Sequence, residues 1–364
     1  MDVVVGRDTY KALALHRCRH STGWLKIVAF GVMLVVTLPG GPASAGVSPN
    51  GEVGGLKAKF IDVKGVRTRY YEMGRGEPLV LLSDGNWSAN GSANYWSKNI
   101  PGLAKRFHVF APDALGCGMT GNPLNDKDYN IEGIVEHAYQ FIRTLKLDKV
   151  HIAGSERGGG TAFYFAVEHP DMVRTLIIAD SITAAPEGST GNRAATADKC
   201  ANLPELEEAK CLCQALSYNC AATFDDEYWE ATKYMASLPK AQVTREKIKA
   251  GTGGPLGFSV PLGIVGDPGH AGFNAFRKTW IERVRTEDVL QMPVLLYWGF
   301  NDPSALVARG LELFDVIGAR NSRTEMIIID KAGHYNVREK PEEFNYHVIN
   351  FIERWERQPA TRSH

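Results

Sequence analysis

The chain has no surplus of either charge: 41 Lys and Arg stand against 41 Asp and Glu in 364 residues. A nucleic-acid surface or an acidic membrane calls for a basic excess, so neither partner has electrostatic support. No block of like charge forms a tail, and no fixed-period repeat marks a solenoid. There is no G-x-x-x-x-G-K-[ST] loop and no G-x-G-x-x-G opening a helix at the first strand, so no nucleotide or flavin site is expected. Cysteine is scarce, six in all, and none sits in the paired C-x2-C spacing of common zinc sites. The expectation is therefore a protein without metal or cofactor. What is present is 44% hydrophobic residues, ample for one large core or two ordinary ones.

Arg17, Arg19 and Lys26 precede an apolar run from Ile27 to Leu38, and Ala43-Ser44-Ala45 follows. A basic start, a short apolar stretch and an Ala-x-Ala end have the form of a secretory signal peptide over 1–45. The run is short of the roughly 20 residues that span a bilayer, so no stable membrane span is expected after cleavage. No Arg-Arg pair points to the twin-arginine route. Export, to a periplasm or beyond, agrees with the crowding of Cys200, Cys211, Cys213 and Cys220. In an oxidising compartment these suggest two disulfides, with three connectivities open. Zinc and free thiols are the rival readings. Cys117 lies apart and reads as an unpaired packing residue.

From Phe60 to Ala179 short apolar runs alternate with helical spacing. A hairpin turns at Lys64-Gly65, strands lie near 79–82, 108–111, 150–154 and 176–179, and helices run from about Ile131 and Gly159. This rhythm predicts an α/β fold, a mostly parallel sheet with helices on both faces. It breaks over 183–289, which reads as an inserted, largely helical cap, and returns over 290–358 before a short tail at 359–364. The first part of the core is 46–182.

Open α/β sheets bind ligands at the carboxyl ends of their strands. Three such ends stand out: Gly154-Ser155-Glu156-Arg157-Gly158, Gly299-Phe300-Asn301-Asp302 and Ala332-Gly333-His334. Their chain order is that of a nucleophile, an acid and a histidine. With Ser83-Asp84-Gly85-Asn86, Ala111-Pro112-Asp113-Ala114-Leu115-Gly116-Cys117-Gly118 and His334 followed by Glu339-Lys340-Pro341, the chain resembles the α/β-hydrolase family from about Lys57 to Trp355. The stretch Asn94 to Pro101 and the tail from Trp298 to Phe344 look most similar to the carbon–carbon bond hydrolases of aromatic ring breakdown, with epoxide hydrolases and dehalogenases as further relatives.

One departure bears on the chemistry. The family's elbow is G-x-S-x-G, and here Glu156 takes the place of the Ser. Ser155 is the alternative nucleophile, one residue early, where Ala153 and Arg157 would replace the glycines the turn needs. The resemblance implies His334 as base and Asp302 as the acid that orients it. It implies an oxyanion hole from the backbone N–H groups of Asn86 and Arg157, beside Gly85, with Asn86 able to donate from its side chain as well. A carboxylate is a recognised nucleophile, and attack on an epoxide or haloalkane carbon would give an ester for water to cleave. Glu156 as general base suits carbon–carbon cleavage, lactone opening or non-hydrolytic proton transfer. The dehalogenase relatives have Trp where Arg157 stands, which counts against that activity. Asp84 replaces the usual His, and two nearby carboxylates would raise one of their pKa values unless Arg157 opposes it. Arg157 either pairs with a carboxylate or binds an acidic substrate. Asp180, at a strand end, is a reserve acid. Tyr218, Tyr228, Trp229, Tyr234 and Phe258 give the cap aromatic surface. A hydrolase leads, with a lyase or isomerase and a binding protein on the same scaffold as alternatives.

Overall fold

The structure is a computed structural model that describes residues 3–5, 51–186, 199–200, 203–251 and 271–357. Nine strands form one sheet: β1 (Val3–Val5), β2 (Ala58–Val63), β3 (Val66–Met73), β4 (Pro78–Leu82), β5 (His108–Pro112), β6 (Val150–Ser155), β7 (Val173–Ala179), β8 (Val294–Gly299) and β9 (Thr324–Ile329). Their order is β1-β9-β8-β7-β6-β4-β5-β3-β2. The six strands from β5 to β9 run parallel, and antiparallel pairs close both edges. Of the expected leader only Val3–Val5 is described, and it lies against β9. The β2–β3 turn falls at Lys64 and Gly65, both with positive φ (53° and 89°), the geometry that keeps two twisted strands in register.

The central strands are mostly apolar because both faces are covered. Side chains alternate across a strand, so Val80 and Leu82 join one core cluster while Leu79 and Leu81 join the other. The first cluster is covered by α2 (Ile131–Thr144), α3 (Arg157–Glu168), α8 (Ala271–Thr286) and α9 (Val307–Gly318). The second is covered by α1 (Ile100–Leu103), α10 (Asn336–Glu339) and α11 (Pro341–Arg357). Helix α2 starts where Asn130 Oδ1 accepts the Gly133 N–H, and Ile131, Ile134, Val135, Ala138, Phe141 and Ile142 form its buried face.

Between β7 and β8 lie α4 (Glu205–Leu216), α5 (Cys220–Thr223), α6 (Asp226–Ala236) and α7 (Pro239–Lys249), then α8. These helices are the described part of the insertion read from sequence as a cap over 183–289; among them α8 buries Ile281 and Val284 in the core cluster of α3 and α9. Phe258 and most of the Gly/Pro-rich stretch lie outside the described residues. The cysteines pair as Cys200–Cys211 and Cys213–Cys220, and Cys117 is free and buried. Lys240 of α7 reaches into the core, where its Nζ donates to the carbonyl oxygens of Gly116, Cys117, Gly118 and Thr120 at 2.5 to 3.0 Å. No helix of the described residues is long and apolar enough to cross a membrane.

Two histidines are buried inside this frame. Thr68 spends its proton on the Val66 carbonyl, so its Oγ1 accepts from His137 Nε2–H at 2.9 Å. Burial lowers the His137 pKa to about 4 and the His151 pKa to about 3. The unfolded chain protonates both below about pH 6.5 while the folded chain does not, so stability falls with pH through that window. Chemical melts at pH 7 and pH 5 are expected to differ by about 2 kcal/mol for each histidine, and His137→Gln should remove its share. Identical melts of the two proteins at pH 5 and pH 7 would refute this.

Candidate active site

The carboxyl ends of β6, β8 and β9 bring three side chains together. Glu156 follows the last residue of β6 and precedes the first turn of α3, with φ 56° and ψ −125°. Such a conformation is costly for a residue with a side chain and marks a site where the fold enforces it. Two glycines permit the turn. A Cβ on Gly154 would lie 2.0 Å from the Gly158 carbonyl oxygen, and one on Gly158 would lie 2.4 Å from the Leu82 carbonyl oxygen. The Glu156 N–H donates to the Ala179 carbonyl of β7 at 3.0 Å, which fixes the turn to the sheet.

The Glu156 carboxylate meets His334 Nε2 directly. On the other side of the ring, His334 Nδ1 donates to Asp302 Oδ2 at 2.7 Å. A carboxylate only accepts, so Nδ1 carries the proton and Nε2 faces Glu156. Asp302 Oδ1 accepts the N–H groups of Ser304 and Ala305 at 2.6 and 2.9 Å, which holds the acid in place. His334 and Asp302 are buried, and Glu156 is 9% exposed. An imidazole held between two carboxylates can take up a proton and keep it as an ion pair.

The remaining candidates fall around this row. Ser155 is buried in β6, with its Oγ hydrogen-bonded to the Tyr95 hydroxyl at 3.1 Å. Asp180 Oδ1 accepts the Gly299 N–H at 2.9 Å; burial, with the charge of Asp302 behind it, pushes its pKa well up. The acid bonded to His334 is thus Asp302. Arg157 begins α3. Its guanidinium faces Asp84 at 3.8 Å, the pairing of the two readings drawn from sequence. Gly85 sits where a Cβ would be 2.8 Å from Ile134 Cδ1. Asn86 turns its Oδ1 inward to accept the Ser88 N–H at 3.1 Å and hydroxyl at 2.6 Å, so only its amide nitrogen and backbone are left to donate.

The cap aromatics serve packing. Tyr228 is buried, its ring lies 4.5 Å from the Arg338 guanidinium, and its hydroxyl donates to Asn90 Oδ1 at 2.6 Å. Trp229 packs on Phe224, Tyr234 is half-buried and Tyr218 is exposed. Two residues not singled out from sequence also border the site, Tyr95 and Glu339. Tyr95 covers Ser155, and Glu339 receives the Gly333 N–H at 3.0 Å. No signal local to either residue announces these contacts, which join positions far apart in the chain. Among the described residues no group of three or more His, Cys, Asp or Glu could hold a metal ion.

Residues 78–199 match the family model described as alpha/beta hydrolase fold. The chain is 36% identical over 124 residues to a 2-hydroxy-6-oxo-6-(2'-aminophenyl)hexa-2,4-dienoic acid hydrolase of Metapseudomonas resinovorans, a match over 34% of this chain and 42% of that one. The chain thus spans about two fifths of the length of that relative. It is 25% identical to epoxide hydrolase 3 of Xenopus tropicalis over 85% of this chain and 80% of that one. Among solved structures, a meta-cleavage product hydrolase from Pseudomonas fluorescens superposes with a TM-score of 0.62 at 22% identity, covering 81% of this chain and 97% of that one.

Proposed function

We propose, from the match of residues 78–199 to the alpha/beta hydrolase fold family model, that this chain is a hydrolase of a small organic substrate and that Glu156, His334 and Asp302 carry its chemistry. The observation that carries this reading is the unbroken row from the Glu156 carboxylate through the His334 ring to Asp302, at the strand ends. A Glu156 oxygen attacks an electrophilic carbon of the substrate, and the bond to the leaving oxygen or halide breaks as the ester forms. His334 Nε2 takes a proton from water, whose oxygen adds to the ester carbonyl. Asp302 stabilises the imidazolium so formed. Collapse breaks the ester C–O bond, the imidazolium proton of His334 passes to the leaving oxygen to give the alcohol, and the Glu156 carboxylate returns with one oxygen from water. In this reading the backbone N–H groups of Asn86 and Arg157 bind the oxyanion, the role the resemblance gives them.

The direct contact of Glu156 with His334 Nε2 favours a second reading, in which the pair moves a proton on or off a substrate carbon or a water and no ester forms. That mode covers carbon–carbon cleavage and non-hydrolytic lyase or isomerase chemistry. The test uses an epoxide, a haloalkane, an aryl ester, a lactone and a ring-fission dienoate, first in ordinary water and then in single turnover in water labelled with oxygen-18. Label in the Glu156 peptide identifies the nucleophile. Label in product alone, or none, identifies the base. No turnover across the panel would remove the hydrolase reading and favour a binding protein. Asp302→Asn should lower any turnover found by roughly 10³- to 10⁴-fold, since it disturbs the tautomer that the acid fixes; an unchanged rate would remove Asp302 from the row.

Export is part of the same proposal. The leader-like sequence of 1–45 and the two cystine pairs of the cap support a mature chain that begins at Gly46, which N-terminal sequencing of the cell-derived protein tests.

A further inference from the structure

The loop that carries His334 is held by the cap as well as by the sheet. The His334 N–H donates to the Leu216 carbonyl at 2.9 Å. Glu339 spans the same junction: its Oε1 accepts the Gly333 N–H at 3.0 Å, and its Oε2 accepts the N–H groups of Tyr218 and Asn219 at 2.8 and 3.3 Å. The two backbones touch. A Cβ on Gly333 would lie 2.4 Å from the Leu216 carbonyl oxygen and 2.7 Å from the Tyr218 nitrogen. The glycine before His334 is therefore demanded by the cap. The cap segment in question, 216–219, lies inside the small ring closed by Cys213–Cys220.

We propose that this ring and Glu339 form a positioning clamp for His334, and that reduction of Cys213–Cys220 releases it. The inference rests on the reading of His334 as the base. Helix α4 ends at Leu216, and the chain must turn at once to present three backbone groups to the 333–339 loop. Without the cystine those residues are free to leave that turn, and each lost bond frees the histidine backbone. Cys220 is partly exposed while Cys213 is buried, so a small dithiol reaches Cys220. Its thiolate attacks Cys220 Sγ, the S–S bond breaks and Cys213 leaves as a thiolate. The reagent's second thiol then displaces Cys220 and closes a cyclic disulfide. Two electrons pass to the protein, and both cysteines end as thiols. The other cystine, Cys200–Cys211, closes a stretch that ends before Leu216, and serves as the control.

The experiment measures amide hydrogen exchange in the 331–336 segment, with kcat and KM alongside, on the full chain. It compares the double variant C213S/C220S, the double variant C200S/C211S and Glu339→Gln in the disulfide-intact protein. Exchange at 331–336 is expected to rise at least tenfold in C213S/C220S and in Glu339→Gln, with kcat at least tenfold lower and KM within twofold. C200S/C211S should show neither change. Unchanged exchange in C213S/C220S and Glu339→Gln, or an equal rise in C200S/C211S, overturns the clamp. If C213S/C220S fails to fold, Glu339→Gln decides alone. Exchange that rises as expected in a protein with no turnover leaves the clamp standing and removes the reading of His334 as a base.

Discussion

Glu156→Gln should abolish turnover, by roughly 10³- to 10⁶-fold in kcat, and leave the fold intact. The substitution keeps length, planarity and the backbone strain at φ 56°. It removes the charge that makes the oxygen a nucleophile or a proton acceptor, so both chemical readings lose their reacting group. Glu156→Gly tests the other side of the same residue. It also removes activity, but it relieves a backbone conformation that costs about 1 to 3 kcal/mol in a residue with a Cβ. The glycine variant is therefore expected to melt higher than the glutamine variant while both are inactive. A Glu156→Gln protein that still turns substrate over would move the chemistry to Ser155 or to water on His334 alone.

Arg69→Met should cost about 3 to 5 kcal/mol of stability, because it leaves the charge of Asp113 buried without its partner. Both side chains are wholly buried, and the guanidinium meets Asp113 Oδ1 at 2.9 Å. Its NH2 group also donates to the Gly51 carbonyl, the Tyr71 hydroxyl and Asn94 Oδ1 at 2.6 to 3.1 Å. Asp113 in turn accepts the N–H groups of Ala93 and Met119, each at 2.7 Å. These bonds tie β3, the turn after β5 and the 93–94 segment into one knot beneath the site. Adding Asp113→Asn to Arg69→Met takes away the stranded charge and keeps an acceptor for one amide. The double variant is expected to recover part of the loss. Urea melts of the three proteins measure it, and a single variant as stable as the wild type would show that the knot is not what holds this end of the sheet.

The sequence made the sheet legible because its strands are short apolar runs at regular spacing and its helices show a single apolar face, as Ile131 to Ile142 does. The elbow was legible through its glycines, whose spacing set Glu156 and not Ser155 at the strained position. Connectivity of the cysteines was open among three pairings. Cys211 and Cys213 both lie on α4, where residues two apart are turned about 200° from each other, so the helix rules out Cys211–Cys213. Between the other two pairings only the fold decides, bringing Cys200 to Cys211 and Cys220 to Cys213 with Cα atoms 5.6 and 5.4 Å apart. Contacts between distant backbones could not be read. Nothing about Leu216 says that its carbonyl receives the His334 N–H, and nothing about Lys240 says that it enters a ring of carbonyls. Such pairings depend on where two loops come to rest, and no periodicity encodes that. The pairing of Val3–Val5 with β9 was not legible either, and a chain that begins at Gly46 would lack it.

The ring of carbonyls around Lys240 sets which conditions can and cannot loosen the cap. Two other joints there are ion pairs, Arg245 with Glu205 and Lys247 with Asp126, each at 2.6 Å. Salt weakens such pairs. Peptide oxygens carry no net charge to exchange for a salt ion, and a cation held among their dipoles is little screened. A salt jump would thus loosen the two ion pairs of α7 while Lys240 keeps that helix on the 116–120 loop.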